Sequence, residues 1–269
     1  MSEVFYRPLI EDMTFSYSRL TSFSDCPYKW YMHYILDEEE QDMFYASYGS
    51  FIHKLIEGFY RGEIRQEDLK MEFLLGFSGK VRGERPLQDI VSGYIDKGVR
   101  YFENFTPFPY DMIAVEKKIN FKVGEQNFIG YIDFLGEKDG ELYIVDNKSR
   151  ELKPRSKRKT PTVNDKTIDE MLKQLYLYSL GIKEEYGRYP KALCFNCFKS
   201  GTFIEEEFKE DELKRTVEWA EKTLNSLLDT TEFYPNLEFF RCKYLCGLND
   251  RCVFYETNKS YNRSVANEH

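Results

Sequence analysis

Apolar positions along the chain follow two periods, and each period predicts a different element. Spacings of three and four residues are typical of a helix with one buried face. They run through residues 47–60, 165–186 and 211–228. Short apolar runs bounded by turn residues predict strands, and these lie at 111–122, 128–135, 142–148, 191–199 and 202–208. Three strands in succession, then a helix, then further strands indicate an α/β protein.

The strongest local signal is the dipeptide Asp139-Gly140 between two of these apolar runs. Such a dipeptide favours a two-residue hairpin turn, because both central positions need a positive φ. The turn would pair Lys138 with Glu141, and counting back along the strands places Asp133 opposite Asp146. Opposed like charges are destabilising. A divalent cation between the two carboxylates would explain why they are tolerated. Lys148 would point to the same face as Asp146.

The composition fits a globular protein of one large domain or two small ones, with 269 residues of which 42% are hydrophobic. No apolar run reaches the roughly 20 residues of a membrane helix, and the opening residues do not resemble a secretory signal. We therefore expect a cytoplasmic protein without membrane contact. The formal net charge of −8 argues against a general nucleic-acid coat.

A local basic patch lies directly after the acidic pair, with seven Lys and Arg residues between positions 148 and 159. Two interpretations remain open for it. The segment is either a solvated surface loop, which is the usual fate of charge runs, or a contact for the phosphate backbone of a nucleic acid.

Six cysteines occur, and a reducing compartment favours metal binding or burial over disulfides. Cys242, Cys246 and Cys252 are clustered, and Cys26 is the best candidate for a fourth ligand. Four thiolates suit either Zn²⁺ or an iron–sulfur cluster, and spacing alone does not separate the two. Cys194 and Cys197 lie on a predicted strand, where residues three apart point to opposite faces. We expect those two to be buried separately, not to form a redox pair.

Three further polar residues attract attention by their position on helices. His53 falls away from the apolar stripe of the 47–60 helix, which makes it a surface histidine unless it has a functional role. Gln174 and Tyr178 are four residues apart, so their side chains can act together. Spacing alone favours an ordinary helix edge for this pair.

Taken in order, these pieces resemble the PD-(D/E)XK nucleases of the RecB type. The sequence is closest in appearance to the iron–sulfur AddB nuclease domain and the exonucleases of CRISPR adaptation. The resemblance is carried by Gly130-Tyr131-Ile132-Asp133, Val145-Asp146-Asn147-Lys148, Gln174 with Tyr178, His53 and the split cysteine set. The chain departs from the family in the spacing of Cys242 and Cys246, which have three intervening residues where two are usual.

The resemblance implies a restriction-endonuclease-like αβββαβ core at residues 111–208. A helical region (1–110) and a C-terminal helix with the cysteines (209–269) would complete a single nuclease domain over 1–269. It implies a DNA nuclease, with exonuclease action expected. Mg²⁺ or Mn²⁺ would be held by His53, Asp133, Asp146 and the Asn147 carbonyl.

In the implied site, the catalytic residues are Asp133, Asp146, Lys148, Gln174 and Tyr178. Lys148 would orient the attacking water, and Gln174 and Tyr178 would position the DNA. Cys26, Cys242, Cys246 and Cys252 would hold a [4Fe–4S] cluster, or alternatively Zn²⁺, that joins the two ends of the chain.

The implied partner is DNA, with a helicase or another recombination, repair, CRISPR or phage protein as a further partner. The alternative is a non-catalytic DNA-binding or partner subunit that retains the nuclease fold. The complete set of Asp133, Asp146 and Lys148 favours the enzyme.

Overall fold

Five strands form one mixed sheet in the described part of the chain, residues 6–255 of a computed structural model. Their order in the sheet follows the sequence: β1 (Asp111–Val123), β2 (Gln126–Lys138), β3 (Glu141–Lys148), β4 (Ala192–Cys197) and β5 (Thr202–Glu207). All neighbours are antiparallel except β3 and β4, which are parallel. A parallel pair needs a long crossover connection, and the segment between β3 and β4 contains a long helix. The predicted α/β class with a mixed sheet is confirmed.

The hairpin between β2 and β3 has the predicted register. Asp139 and Gly140 have φ values of 53° and 77°, as the two-residue turn requires. Lys138 pairs with Glu141, and the ladder continues as far as Phe134 and Val145. Asp133 and Asp146 are the next residue on each strand, at the point where the ladder ends.

Helices occupy most of the remaining chain. They are α1 (Arg7–Glu11), α2 (Tyr17–Asp25), α3 (Pro27–Tyr34), α4 (Phe44–Tyr60), α5 (Leu69–Lys80), α6 (Gln88–Glu103), α7 (Val163–Tyr186), α8 (Glu210–Leu228) and α9 (Phe239–Tyr244). The crossover helix α7 begins at a capping box formed by Thr162 and Asp165 and ends at Gly187 in the left-handed conformation. No helix in the described residues is long and apolar enough to cross a membrane.

Two large apolar clusters divide these helices between them. One cluster joins α2, α3, α7 and α8 to the sheet through residues such as Ile119, Phe128 and Ile144. The other is formed by α4, α5 and α6, and it reaches the chain after β4 through Phe198. The end of the β2–β3 hairpin lies where both groups of helices are within reach, because α4 contacts β1 and α7 packs on β1 and β4.

Candidate active site

The site is built at the end of the β2–β3 ladder, where the two strands separate. Asp133 Oδ2 accepts a hydrogen bond of 2.7 Å from the main-chain N–H of Asn147. Asp146 is 4% exposed. The structure therefore brings together the two carboxylates that the hairpin register predicts, in a setting where little water reaches them.

Two further residues complete a compact group around Asp133. His53, on α4, places Nδ1 3.3 Å from Asp133 Oδ2. Glu116, on β1, lies so that one ligand atom from each of His53, Glu116 and Asp133 falls within 4.8 Å of the other two. The flanking pairs Val115–Phe134 and Lys117–Ile132 show that Glu116 faces Asp133 across the β1–β2 ladder.

Glu116 is the site residue that the sequence interpretation missed. Its φ of 49° is positive within a strand, a local backbone conformation that costs about 1–3 kcal/mol and is common at functional sites. One signal could have revealed it. The turn at Gly124-Glu125 pairs Val123 with Gln126, and counting back from that pair puts Glu116 opposite Asp133.

The electrostatics of this group call for a positive partner. Burial raises the pKa of Asp133 well above its usual value, and the charge of Asp146 raises it further. Burial also lowers the pKa of His53, which favours the neutral ring that can offer a nitrogen to a metal. Asp146 Oδ2 is fully buried, and no aligned donor among the described residues hydrogen-bonds to it.

A row of polar side chains in contact with one another runs from Asp146 to α7. Lys148 Nζ lies 2.7 Å from Asp146 Oδ2 and donates to Gln174 Oε1, also at 2.7 Å. Gln174 Nε2 in turn donates to the Tyr178 hydroxyl at 3.1 Å. Burial raises the pKa of Tyr178 to about 12, so the hydroxyl keeps its proton and can donate it to a substrate oxygen.

Gly130 explains how Tyr178 comes so close to the sheet. A Cβ at this position would lie 2.4 Å from the Tyr178 ring, closer than any real contact. The glycine that opens the sequence Gly130–Asp133 therefore makes room for the aromatic residue of the facing helix.

A buried polar chain supports the site from the opposite face of the sheet. Asn196, on β4, donates from Nδ2 to Asn147 Oδ1 and to the Tyr101 hydroxyl, both at 2.7 Å. All three residues are less than 10% exposed. These hydrogen bonds hold the Asn147 side chain in place. The Asn147 backbone in turn hydrogen-bonds to Asp133 and to His53.

The ligand atoms that these residues offer fit a hard divalent cation. Carboxylate oxygens are preferred by Mg²⁺ and Mn²⁺, and one imidazole is compatible with Mn²⁺ and the softer metals. The raised pKa of Asp133 reflects a buried negative charge that a divalent cation would offset, whereas Asp146 already has the ammonium of Lys148 2.7 Å from its Oδ2. Asp146 lies outside the compact group of three, so its role as a ligand, like that of Asn147, stays a prediction.

The basic loop after β3 is held in place but keeps most of its charge free. Asp165 accepts hydrogen bonds from Ser156 and Thr162 and so fixes the loop to the start of α7. Arg155 pairs with Asp169 and Glu206. The other cations of the loop are exposed and form no ion pair within the described residues: Arg150, Lys153, Lys157, Arg158 and Lys159.

The four cysteines singled out by the sequence line one small cavity. Cys26 lies between α2 and α3, and Cys242, Cys246 and Cys252 approach it from the C-terminal segment. Several hydrogen bonds join the segments directly, among them one from the Gln41 N–H to the Gly247 carbonyl and one from Arg241 to the Asp25 carbonyl. The N- and C-terminal segments therefore meet here, as the sequence interpretation expects, while a bound cluster stays a prediction.

Cys194 and Cys197 are buried on different sides of the sheet, as predicted. Cys197 belongs to the apolar cluster that joins α2, α3, α7 and α8 to the sheet, whereas Cys194 packs with Phe134 and Val145. Burial raises the pKa of Cys194 to about 12 and of Cys197 to about 11. Both thiols stay protonated at neutral pH, which removes the basis for a redox function at this pair.

Fold and site together define a protein of the nuclease type, with an acidic group and a lysine at the end of a central hairpin. The family model of the PD-(D/E)XK nuclease superfamily matches residues 14–253. The chain belongs to this superfamily. No curated protein sequence matches it.

A solved structure of another protein shares the fold. The crystal structure of a "Putative exonuclease" from Eubacterium rectale is similar over 93% of this chain and 92% of that chain, with a TM-score of 0.54 and 14% identity. A structure of the protein SSO0001 covers 88% of this chain and 97% of its own, at 15% identity. The TM-score of this pair is 0.33, which does not establish a shared fold.

Proposed function

We propose that the protein is a Mg²⁺- or Mn²⁺-dependent deoxyribonuclease that acts as an exonuclease. The single observation that carries the proposal is the meeting of His53, Glu116 and Asp133 beside the ion pair of Asp146 and Lys148. The first three offer ligands to a cation. The pair adds a second carboxylate and an ammonium, the combination needed to activate water next to a phosphate.

Each residue has a distinct task in phosphodiester hydrolysis. A bound divalent cation would lower the pKa of a water molecule and offset negative charge on the phosphate. Asp146 accepts the hydrogen bond that orients the water, and Lys148 donates to the same water or to the phosphate oxygen. Gln174 holds Lys148 at 2.7 Å. Tyr178 is left with a free hydroxyl proton to position the strand.

The loop at residues 149–162 supports DNA as the substrate. Its five unpaired cations are exposed next to Lys148, and cations of this kind give affinity for the phosphate backbone without reading sequence. The protein has a net charge of −8, so contact with DNA depends on this local patch and will weaken as salt increases.

A cleavage assay on end-labelled linear and circular DNA tests the proposal. Wild-type protein should degrade the linear DNA only when Mg²⁺ or Mn²⁺ is present, and should spare the circle. Asp146→Ala and Lys148→Ala should each abolish cleavage, while a single cooperative thermal transition shows that the variants are folded. Lys138→Ala and Asp139→Asn change the same residue types at the exposed tip of the same hairpin, where asparagine suits the positive φ of position 139, and should cleave normally.

Two results would overturn the assignment in different ways. Metal-dependent cleavage that survives both substitutions would show that the reaction occurs elsewhere. Tight binding of DNA without cleavage, under every metal tested, would favour the alternative of a non-catalytic subunit. Cleavage of circular DNA would keep the nuclease but replace the exonuclease with an endonuclease. The partner protein and the process, whether repair, CRISPR adaptation or phage DNA handling, stay predictions.

We further propose that Cys26, Cys242, Cys246 and Cys252 hold a [4Fe–4S] cluster with a structural role. The support is the meeting of four thiols from both ends of the chain in one cavity. Four thiolates suit a [4Fe–4S] cluster and a tetrahedral zinc site alike, so the metal content decides between the two.

Metal analysis of anaerobically purified protein tests this second proposal. The preparation should be brown and contain iron and sulfide, and Cys26→Ser should lose both and melt at a lower temperature. Cys194→Ala removes a buried thiol outside the group and should retain the iron. A colourless protein that contains zinc and no iron would instead establish the zinc alternative.

A further inference from the structure

A second concave site lies on the sheet face opposite α7. It is a cavity of about 580 Å³ between the end of α6, the loop before β1 and the turn that joins β4 to β5. We call it the α6 cavity. Its size is within the range of about 300–1,000 Å³ that small-molecule sites occupy.

The α6 cavity has an unusual charge for this protein. Lys97, Arg100 and Lys199 line it, and no Asp or Glu of the described residues does. Lys97 and Lys199 share an ion pair with Glu151, outside the cavity wall. Arg100 is exposed, its Nε donates to the Asp96 carbonyl, and its guanidinium pairs with no carboxylate within residues 6–255. In a chain with eight excess negative charges, a wall with three cationic side chains and one carboxylate shared by two of them indicates an anionic ligand.

The floor of the cavity is aromatic, with an amide among the rings. Tyr101, Phe108 and Phe198 are buried beneath the basic rim with Asn196 among them, and Phe203 beside them is partly exposed, so its ring is available to a ligand. Aromatic faces bind nucleobases by stacking, which is worth about 1–3 kcal/mol per base and does not depend on the base. An anion joined to a flat aromatic group matches both the rim and the floor.

The cavity is next to the candidate active site. The Phe198 ring lines the cavity and meets the His53 ring edge-on, with centroids 5.9 Å apart. The Phe198 N–H also donates to the Lys148 carbonyl at 3.2 Å. A ligand in the cavity is thus separated from a candidate metal ligand by one side chain.

We infer that the α6 cavity binds one nucleotide unit, with the base on the aromatic floor and the phosphate at Arg100. The occupant is an unpaired nucleotide of the bound strand or a released mononucleotide, since both present the same chemistry. A base stacked within a duplex cannot enter a cavity of this kind without being flipped out. The inference rests on the nuclease function proposed above, and it adds a preference for unpaired ends.

Binding measured without divalent metal tests the cavity separately from the chemistry. The probes are a short fluorescein-labelled single-stranded oligonucleotide, a blunt labelled duplex, and dAMP as competitor, all in EDTA. Arg100→Glu reverses the charge at the rim, and Asn104→Trp fills the cavity from an exposed position. Lys80→Glu makes the same charge change on an exposed residue that does not line the cavity.

Both cavity variants should bind the single strand at least about tenfold more weakly, the loss expected for one charge-assisted hydrogen bond. Their duplex binding and melting temperature should stay unchanged, and Lys80→Glu should behave as the wild type. Competition by dAMP that is lost in Arg100→Glu identifies a mononucleotide site, whereas no competition identifies a unit of the strand.

Two outcomes would overturn the inference. Unchanged single-strand binding in both cavity variants would show that the cavity is not used. Equal weakening for single strand and duplex in Arg100→Glu would show a general basic surface. Failure of the wild type to cleave DNA with Mn²⁺ would instead count against the nuclease function, and it leaves the dAMP measurement valid.

Discussion

Asp133→Asn should make the metal-free protein more stable while it removes metal binding and cleavage. The substitution keeps the shape of the side chain and an oxygen that can accept the hydrogen bond from the Asn147 N–H. It removes one negative charge from a buried group that already contains Asp146. The Asp133 carboxylate that the proposed reaction needs therefore lowers the stability of the protein when no metal is bound.

The size of the gain follows from the hairpin geometry. Residues opposed across two strands have Cβ atoms about 5 Å apart, and two unit charges at that distance repel by about 3 kcal/mol at an effective dielectric constant of about 20. Lys148, 2.7 Å from Asp146, offsets part of this repulsion. A net gain of about 1–2 kcal/mol is expected, which raises the melting temperature of a protein of this size by about 4 °C.

The gain should depend on pH in a defined direction. Because the pKa of Asp133 is raised in the folded state, the fold binds more protons than the unfolded chain above the ordinary carboxyl pKa. Stability of the metal-free wild type therefore falls as the pH rises through that window. Asp133→Asn lacks this titration, so its advantage should be small near pH 4 and largest above the raised pKa.

Thermal melts with EDTA, from about pH 5 to about pH 8, measure the effect. Mn²⁺ at about 100 times its dissociation constant should stabilise the wild type by about 2.7 kcal/mol, and this shift should vanish in Asp133→Asn. Asp139→Asn exchanges the same atoms at the exposed turn, where the positive φ suits asparagine, and should follow the wild type. A variant that melts lower than the wild type in EDTA at high pH, or that keeps the full Mn²⁺ shift, would refute the reasoning.

Three other substitutions probe the surroundings of the site. Glu116→Gln should weaken Mn²⁺ binding about tenfold or more by calorimetry, because it removes a charged ligand; an unchanged affinity would exclude Glu116 from the metal site. Gly130→Ala should lower the free energy of unfolding in urea by about 1–3 kcal/mol, because its Cβ would lie 2.4 Å from the Tyr178 ring, and an unchanged value would contradict this packing. Asn196→Leu should leave Asn147 Oδ1 buried without a donor, lowering kcat more than DNA affinity; a loss of affinity alone would assign Asn196 to the α6 cavity instead.

The hairpin and the helices could be predicted because their causes are local. Asp139-Gly140 specifies a turn by its own backbone preference, and everything on the two strands then follows by counting. Glu116 was missed because residues were counted back from only one of the two hairpin turns. The same count from Gly124-Glu125 places it opposite Asp133, but its positive φ has no signature in the sequence.

His53 and the α6 cavity depend on contacts between distant segments, so the sequence provides only a weak indication of a role for His53 and none of the cavity. The helical phase of α4 showed that His53 lies off the apolar stripe, but phase does not say which neighbour faces that side. Arg100 and Lys199 come from elements 99 residues apart in sequence, and the carboxylate that neutralises one of them is visible only in the fold. The net charge of the whole sequence is negative, and it therefore gives no sign of a local cationic cavity.

The charge of Lys148 separates the two functions that the sequence left open. An ammonium group 2.7 Å from Asp146 repels a cation held by the neighbouring carboxylates, so a site that only binds metal gains nothing from it. A reaction at phosphate does gain, because negative charge increases on the phosphate oxygens and a donor fixed in advance stabilises it. Gln174 fixes Lys148 in this place, although it contributes no ligand to the metal. Lys148→Ala should therefore bind Mn²⁺ at least as tightly as the wild type and still fail to cleave, whereas a non-catalytic DNA-binding protein would lose only DNA affinity with that side chain.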